Sequence, residues 1–120
     1  MEGDIHLETL DLARTIVDAA GDKQATDVIL LDTRNVCSFT DYFVICSGES
    51  TRQVKAIVDA VTETLKKERI LPLHEEGVSE TGWVLLDYGD VIVHIFSAAE
   101  REYYKLEQLW EKANCVVRMP

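Results

Sequence analysis

The reactive residue types in this chain fall into three groupings that could do chemistry. Asp87 and Asp90 resemble the paired acids that hold a divalent ion for nucleotidyl transfer. Cys46 and His94 could serve as nucleophile and base. Gly48-Glu49-Ser50, just ahead of a helical pattern, imitates a phosphate cradle. Spacing argues against each. Residues sharing a strand face are two or four positions apart, whereas the two acids are three apart, one on a strand and one in a turn. Cys46 and His94 both lie inside apolar strands, where core packing is the ordinary role. The Gly48 segment has no Gly-rich loop with a following Lys, and Glu49 repels phosphate. His6, His74 and His94 are too scattered to suggest a metal site. Cys37, Cys46 and Cys115 are odd in number and lack C-x-x-C spacing, so they read as buried small hydrophobes and one tail thiol in a reducing compartment. The expectation is a chain without catalytic residues, cofactor or metal.

The elements that position these residues follow from periodicity. Leu7, Leu10, Ile16, Val17 and Ala20 fall near helical spacing, and Gly21 is a natural left-handed stop. Val28 to Leu31 is an apolar run between two aspartates, as in a buried strand. Asn35 to Asp41 reads as a loop, and Tyr42 to Cys46 as a second strand. Ser50-Thr51-Arg52-Gln53 has capping-box form and opens a helix with Val54, Ile57, Val58, Val61 and Leu65 on its inner face. Lys66, Lys67 and Arg69 at its end suit the helix dipole and solvent rather than RNA. Pro72 to Glu75 suggests a short edge strand. Ser97-Ala98-Ala99-Glu100 is a second capping box, and the helix after it carries Tyr103, Leu106 and Trp110 along one face. Asn114 to Pro120 reads either as a tail or as a small added strand.

The stretch from Trp83 to Phe96 is the most informative. Trp83 to Tyr88 and Val91 to Phe96 are strand signals separated by Gly89-Asp90, a two-residue loop that indicates a tight antiparallel hairpin. That turn sets the register. Tyr88 faces Val91, Leu86 faces Val93 and Val84 faces Ile95 on one apolar face, which should pack onto helices. The other face pairs Asp87 with Ile92, Leu85 with His94 and Trp83 with Phe96. Two readings of this mixed face stay open: a helix covers it and satisfies His94 and Asp87 at its edge, or it is a partly exposed apolar patch with a polar rim that binds a protein. Trp is enriched among interface hot spots, which makes Trp83 a candidate anchor.

With 120 residues, ordinary apolar and charged fractions and no repeat or linker, the chain reads as one domain over 1–120, with a core of about 7–112 and a short C-terminal tail. The element order gives an α/β fold with a mixed sheet and flanking helices. No apolar run reaches the roughly 20 residues needed to cross a bilayer. Met1 to Leu10 carries acids and no basic n-region, so the cytoplasm is the expected location. A net charge of −10 disfavours a phosphate backbone and favours a basic protein surface, so no sequence-specific nucleic-acid binding and no membrane partner are expected.

The same segments resemble the Iojap, or ribosomal silencing factor, family. The similarity rests on Thr40-Asp41-Tyr42-Phe43-Val44-Ile45, on Gly48 with Ser50 to Ile57, on Gly82 to Asp90, on Val91 to Phe96 and on Arg101 to Trp110. It spans about Leu7 to Trp110, with several motifs in the right order. After Trp110 the family often continues toward Asp-Ala, whereas this chain has Glu111-Lys112-Ala113. The resemblance implies a nucleotidyltransferase-like fold lacking the catalytic acids. It also implies a translational repressor, a homodimer in several relatives, that binds the large ribosomal subunit through its fourteenth ribosomal protein. There it would block small-subunit joining and slow translation when nutrients are short. Carried onto this sequence, the partner surface is Trp83, Leu85, Asp87, Ile92, His94 and Phe96, with Arg101, Tyr104 and Lys105 nearby. The resemblance favours the exposed-patch reading of the hairpin face. The competing expectation is a small nucleotidyltransferase-like enzyme.

Overall fold

A computed structural model gives the architecture; it describes the backbone of residues 2–104 and 111–120 and the side chains of 9–101 and 111–120. The elements are α1 (Glu2–Asp22), β1 (Thr26–Asp32), β2 (Tyr42–Gly48), α2 (Thr51–Lys67), β3 (His74–Glu76), a 3-10 turn at Ser79–Thr81, β4 (Trp83–Asp87), β5 (Val91–Ser97), α3 (Ala98–Tyr104) and β6 (Asn114–Met119). They form one six-stranded sheet in the order β3-β4-β5-β2-β1-β6. β2 and β5 run parallel and the other neighbouring pairs antiparallel, so the sheet is mixed, as the element order suggested.

The apolar pattern of α2 is realised as read. Val54, Ile57, Val61 and Leu65 are buried, and Val58 is partly buried against the same cluster. Ser50 caps the helix, its side chain accepting from Gln53 N at 3.1 Å. Gln53 Oε1 accepts from Glu49 N, one residue beyond the usual capping-box donor. Its Nε2 donates to Lys23 O and Gln24 O at 3.1 and 2.9 Å, which ties the start of α2 to the turn after α1.

That turn corrects the expected helix stop. α1 runs past Gly21 to Asp22, and the left-handed residue is Gln24 at φ 61°. Lys23 N and Ala25 N both donate to Ala20 O, closing the helix three residues later than a Gly21 stop implies. A Cβ at Gly21 would meet Met119 Cε of β6 at 3.5 Å, an ordinary van der Waals contact, so neither the helix stop nor packing requires glycine there. The segment read as either tail or strand is β6, paired with β1 from Val28↔Met119 to Asp32↔Asn114, and the sheet extends beyond a core ending near 112.

The hairpin register is as derived from the turn: Trp83↔Phe96, Val84↔Ile95, Leu85↔His94, Leu86↔Val93 and Asp87↔Ile92. Gly89 supplies the left-handed turn conformation at φ 87°. Val84, Leu86, Tyr88, Val91, Val93 and Ile95 join the main core with residues of α1 and α2, as expected for that face. Asp90 has a backbone role, its carbonyl accepting from Asp41 N and Tyr42 N at 3.0 Å and so anchoring the start of β2 to the turn.

Candidate protein-docking face

The opposite face of the sheet is ordered by cross-strand register. One row runs Glu76, Leu85, His94, Ile45, Ile29 and Arg118, and the next runs His74, Asp87, Ile92, Phe43, Leu31 and Cys115. The centre of both rows is apolar because these strands alternate large hydrophobic residues on both faces. Ile29, Leu31, Phe43, Ile45, Ile92 and Phe96 form a second buried cluster, against which Trp83, Leu85 and Ala113 pack while still partly exposed.

Burial narrows the partly exposed patch expected from the sequence. Ile92, His94 and Phe96 on β5 are 7, 5 and 0% exposed, whereas Trp83, Leu85 and Asp87 on β4 are half-buried. The reason is position in the sheet: β5 lies between β4 and β2, while β4 has only the three-residue β3 outside it. Of the six hairpin residues expected at a partner surface, three offer area and three support them from beneath.

That support is aromatic. The rings of Trp83 and Phe96 stack at 5.6 Å, those of Trp83 and His94 at 6.0 Å, and those of His94 and Phe96 at 6.1 Å, with interplanar angles of 15, 21 and 7°. Offset rings at such distances add about 0.5–1.5 kcal/mol per pair beyond their area burial. Phe43 meets His94 edge-on at 5.1 Å. Trp83 Nε1 donates to His94 Nδ1 at 3.2 Å, which places the proton of the neutral imidazole on Nε2. His94 Nε2 is buried and has no hydrogen-bond partner among the described residues. Burial lowers the His94 pKa from 6.5 to about 4, so at neutral pH the ring is the acceptor that holds the indole in place. Asp87 Oδ1 accepts from Gly89 N at 2.7 Å and steadies the turn.

The remaining site residues separate. Arg101, expected beside the partner surface, is 7% exposed and turned inward. Its Nη1 donates to Asp27 O and Ser47 Oγ, both at 2.9 Å. Asp27 lies at φ 48° inside a break in β1–β2 register, so Arg101 ties α3 to an irregular stretch of β1. Its length and five donors suit that internal bridge. Tyr104 ends α3, but its side chain and all of Lys105 lie outside the described residues, as do the expected positions of Tyr103, Leu106 and Trp110 on the helix face. Ser97 caps α3, accepting from Glu100 N at 3.3 Å.

Two of the pairings considered for chemistry can be placed in the sheet. Cys46 belongs to the helix-side core and His94 to the opposite face, so a nucleophile–base pair across the sheet is impossible. Burial pushes the Cys46 thiol up to about 12. Asp87 is on β4 and Asp90 in the exposed turn, and among the described residues no group of three or more His, Cys, Asp or Glu is placed to hold a metal ion. Cys37 is half-buried and Cys115 exposed. No helix among the described residues is long and apolar enough to cross a membrane.

Sequence reasoning missed Glu76 and Gly77. Glu76 pairs with Leu85 and therefore joins the candidate face, and Glu76 and Gly77 line a cavity of about 130 Å³ with Trp83 and Leu85. The signal available was the edge strand read at Pro72 to Glu75, which stopped one residue short.

What fold and face define together is a small α/β domain whose most distinctive surface is an indole on an aromatic stack. Residues 6–119 match the family described as "Ribosomal silencing factor during starvation". The chain is 43% identical over 95 residues to "Ribosomal silencing factor RsfS" of Bacillus subtilis (strain 168), covering 79% of this chain and 80% of that one. It is 34% identical over 98 residues to "Mitochondrial assembly of ribosomal large subunit protein 1" of Mus musculus, covering 79% of this chain and 43% of that one. A crystal structure of a Chromobacterium violaceum protein superposes with a TM-score of 0.81 at 34% identity, covering 90% of this chain and 92% of that one. The chain belongs to the ribosomal silencing factor family, and with that membership comes a ribosome-associated silencing role. The bacterial relative is named as a silencing factor rather than as an enzyme.

Proposed function

We propose that this protein represses translation by binding the large ribosomal subunit through its fourteenth ribosomal protein, where it obstructs joining of the small subunit. The observation that carries this reading is Trp83: a half-buried indole held flat by a hydrogen bond to a neutral His94 and stacked on Phe96. A rigid aromatic side chain loses little entropy on binding and is the residue type most often found at interface hot spots. Leu85 and Asp87 extend the contact along β4, and Ile92, His94 and Phe96 act from beneath it. Net charge −10 steers the chain toward a basic protein and away from exposed rRNA. The mouse relative's name, which refers to the ribosomal large subunit, supports the choice of subunit. Homodimerisation in the cytoplasm belongs to the same reading, and sedimentation at tens of micromolar checks it.

The test is a gradient assay with purified subunits. The protein should co-sediment with large but not small subunits and reduce the yield of joined ribosomes in proportion to its occupancy. Joined ribosomes forming normally on saturated large subunits would contradict the steric mechanism. Metal-dependent nucleotide incorporation abolished by Asp87→Asn would instead favour the enzyme reading.

A further inference from the structure

The cavity beside Trp83 has a chemistry of its own. It is lined by Glu76, Gly77, Trp83 and Leu85 and measures about 130 Å³. That is well below the roughly 300–1,000 Å³ of a cofactor or metabolite pocket and close to a cavity that accepts one benzene-sized group, about 150 Å³. It is a space for one side chain. Its construction depends on Gly77, which takes φ 80° and whose Cβ, if present, would lie 2.2 Å from Trp83 O. The chain after β3 thus closes directly onto the backbone of Trp83 and brings Glu76 into the same cavity wall. Glu76 is exposed, Trp83 and Leu85 are half-buried, and the β3–β4 register puts Glu76 next to Leu85 on the docking face.

We infer that this cavity is a socket for a single arginine or lysine side chain of the basic protein that docks on the β4 face. This deepens the ribosome-binding reading and rests on it for the partner's identity. An indole wall attracts a cation through its ring quadrupole, and a carboxylate at the rim supplies the counter-charge. A purely apolar side chain could fill the space but would leave the rim carboxylate of Glu76 without a counter-charge. Arginine fits better than lysine because its planar guanidinium stacks on the indole while its edge faces the carboxylate. A phosphate group is repelled by Glu76, so the socket selects a protein segment over RNA.

Glu75 provides a matched control. It neighbours Glu76, is also exposed and carries the same charge, but pairs with Leu86 and therefore faces the helix side of the sheet. The experiment titrates the full chain, Glu76→Gln and Glu75→Gln against purified large subunits at low and physiological salt. In parallel, the Trp83 indole N–H resonance is followed on adding N-acetyl-arginine amide, with N-acetyl-leucine amide as the neutral probe. Glu76→Gln is expected to weaken subunit binding about fivefold while Glu75→Gln changes it by less than about twofold, as for a half-exposed ion pair against a mere change in net charge. The arginine probe is expected to move the indole resonance in the wild type and not in Glu76→Gln; the leucine probe should leave it in place. Equal effects of the two substitutions, or none from Glu76→Gln, would reduce Glu76 to a charged edge-strand residue and overturn the socket. If the wild type does not bind large subunits at all, the ribosome reading falls. The arginine response of the indole then decides the socket alone, an unmoved resonance overturning it.

Discussion

The two faces of the β4–β5 hairpin are made from alternate residues of one short sequence, yet they differ in what they leave open. On the helix side, Val84, Leu86, Val93 and Ile95 are at most 2% exposed, and α1 and α2 close over them. On the other side, the β5 residues are buried but Trp83, Leu85 and Asp87 stay half-exposed, edged by the polar β3. Protein interiors are close-packed, so the first face should respond to any lost volume. The second should tolerate change at β4 better than at β5. The difference teaches that one strand can close a core on one face and keep area open on the other, through the twofold alternation of its side chains.

The largest expected effect tests the closed face. Leu86→Ala deletes a fully buried side chain and should destabilise the fold by about 2–5 kcal/mol, read from chemical unfolding midpoints. A loss under 1 kcal/mol, on the order of a surface change, would mean that this face is not the packed one.

The next effect belongs to His94 beneath the open face. Its folded pKa of about 4 lies below the unfolded value of 6.5, so the unfolded chain binds the extra proton between these values. Stability is therefore full above about pH 6.5 and falls as the pH drops toward 4. Between pH 7 and pH 5 the loss should be about 2 kcal/mol. His94→Gln should flatten that slope. An equally steep slope in the variant would move the effect to other groups.

A smaller effect tests the closed face again, through the start of the α2 helix that covers it. Ser50→Ala removes the cap on Gln53 N and should cost about 1 kcal/mol in unfolding free energy. No change would mean that the Gln53 amide, bonded to Lys23 O and Gln24 O, holds the helix start by itself.

The legibility of the two faces differed for a physical reason. A two-residue turn and strict alternation fix register locally, so the pairing of Trp83 with Phe96 and of Leu85 with His94 could be derived from the sequence. How much of each residue remains exposed depends on strands distant in sequence. That β5 is interior and β4 next to an edge follows from the parallel β2–β5 pairing, which no local pattern announces. The inward turn of Arg101 was hidden for the same reason: its partners, Asp27 and Ser47, are 74 and 54 positions away. Glu76 was missed because β3 is short and wholly exposed, with no apolar alternation to mark its end. The helix stop at Gln24 rather than Gly21 involves a side chain of α2, Gln53, which donates to the carbonyls of Lys23 and Gln24 about 30 positions away.

In the proposed docking face, Trp83 is an anchor that the fold supports without requiring it. The most direct measurement compares wild type and Trp83→Ala for large-subunit affinity and for unfolding free energy in the same preparations. The expected result is a binding loss of about 2 kcal/mol or more, in the hot-spot range. Its accompanying stability loss should fall below the roughly 3–5 kcal/mol typical of a buried Trp. Strong destabilisation, with unchanged subunit binding by the fraction that remains folded, would make Trp83 a core residue and contradict the proposed docking face.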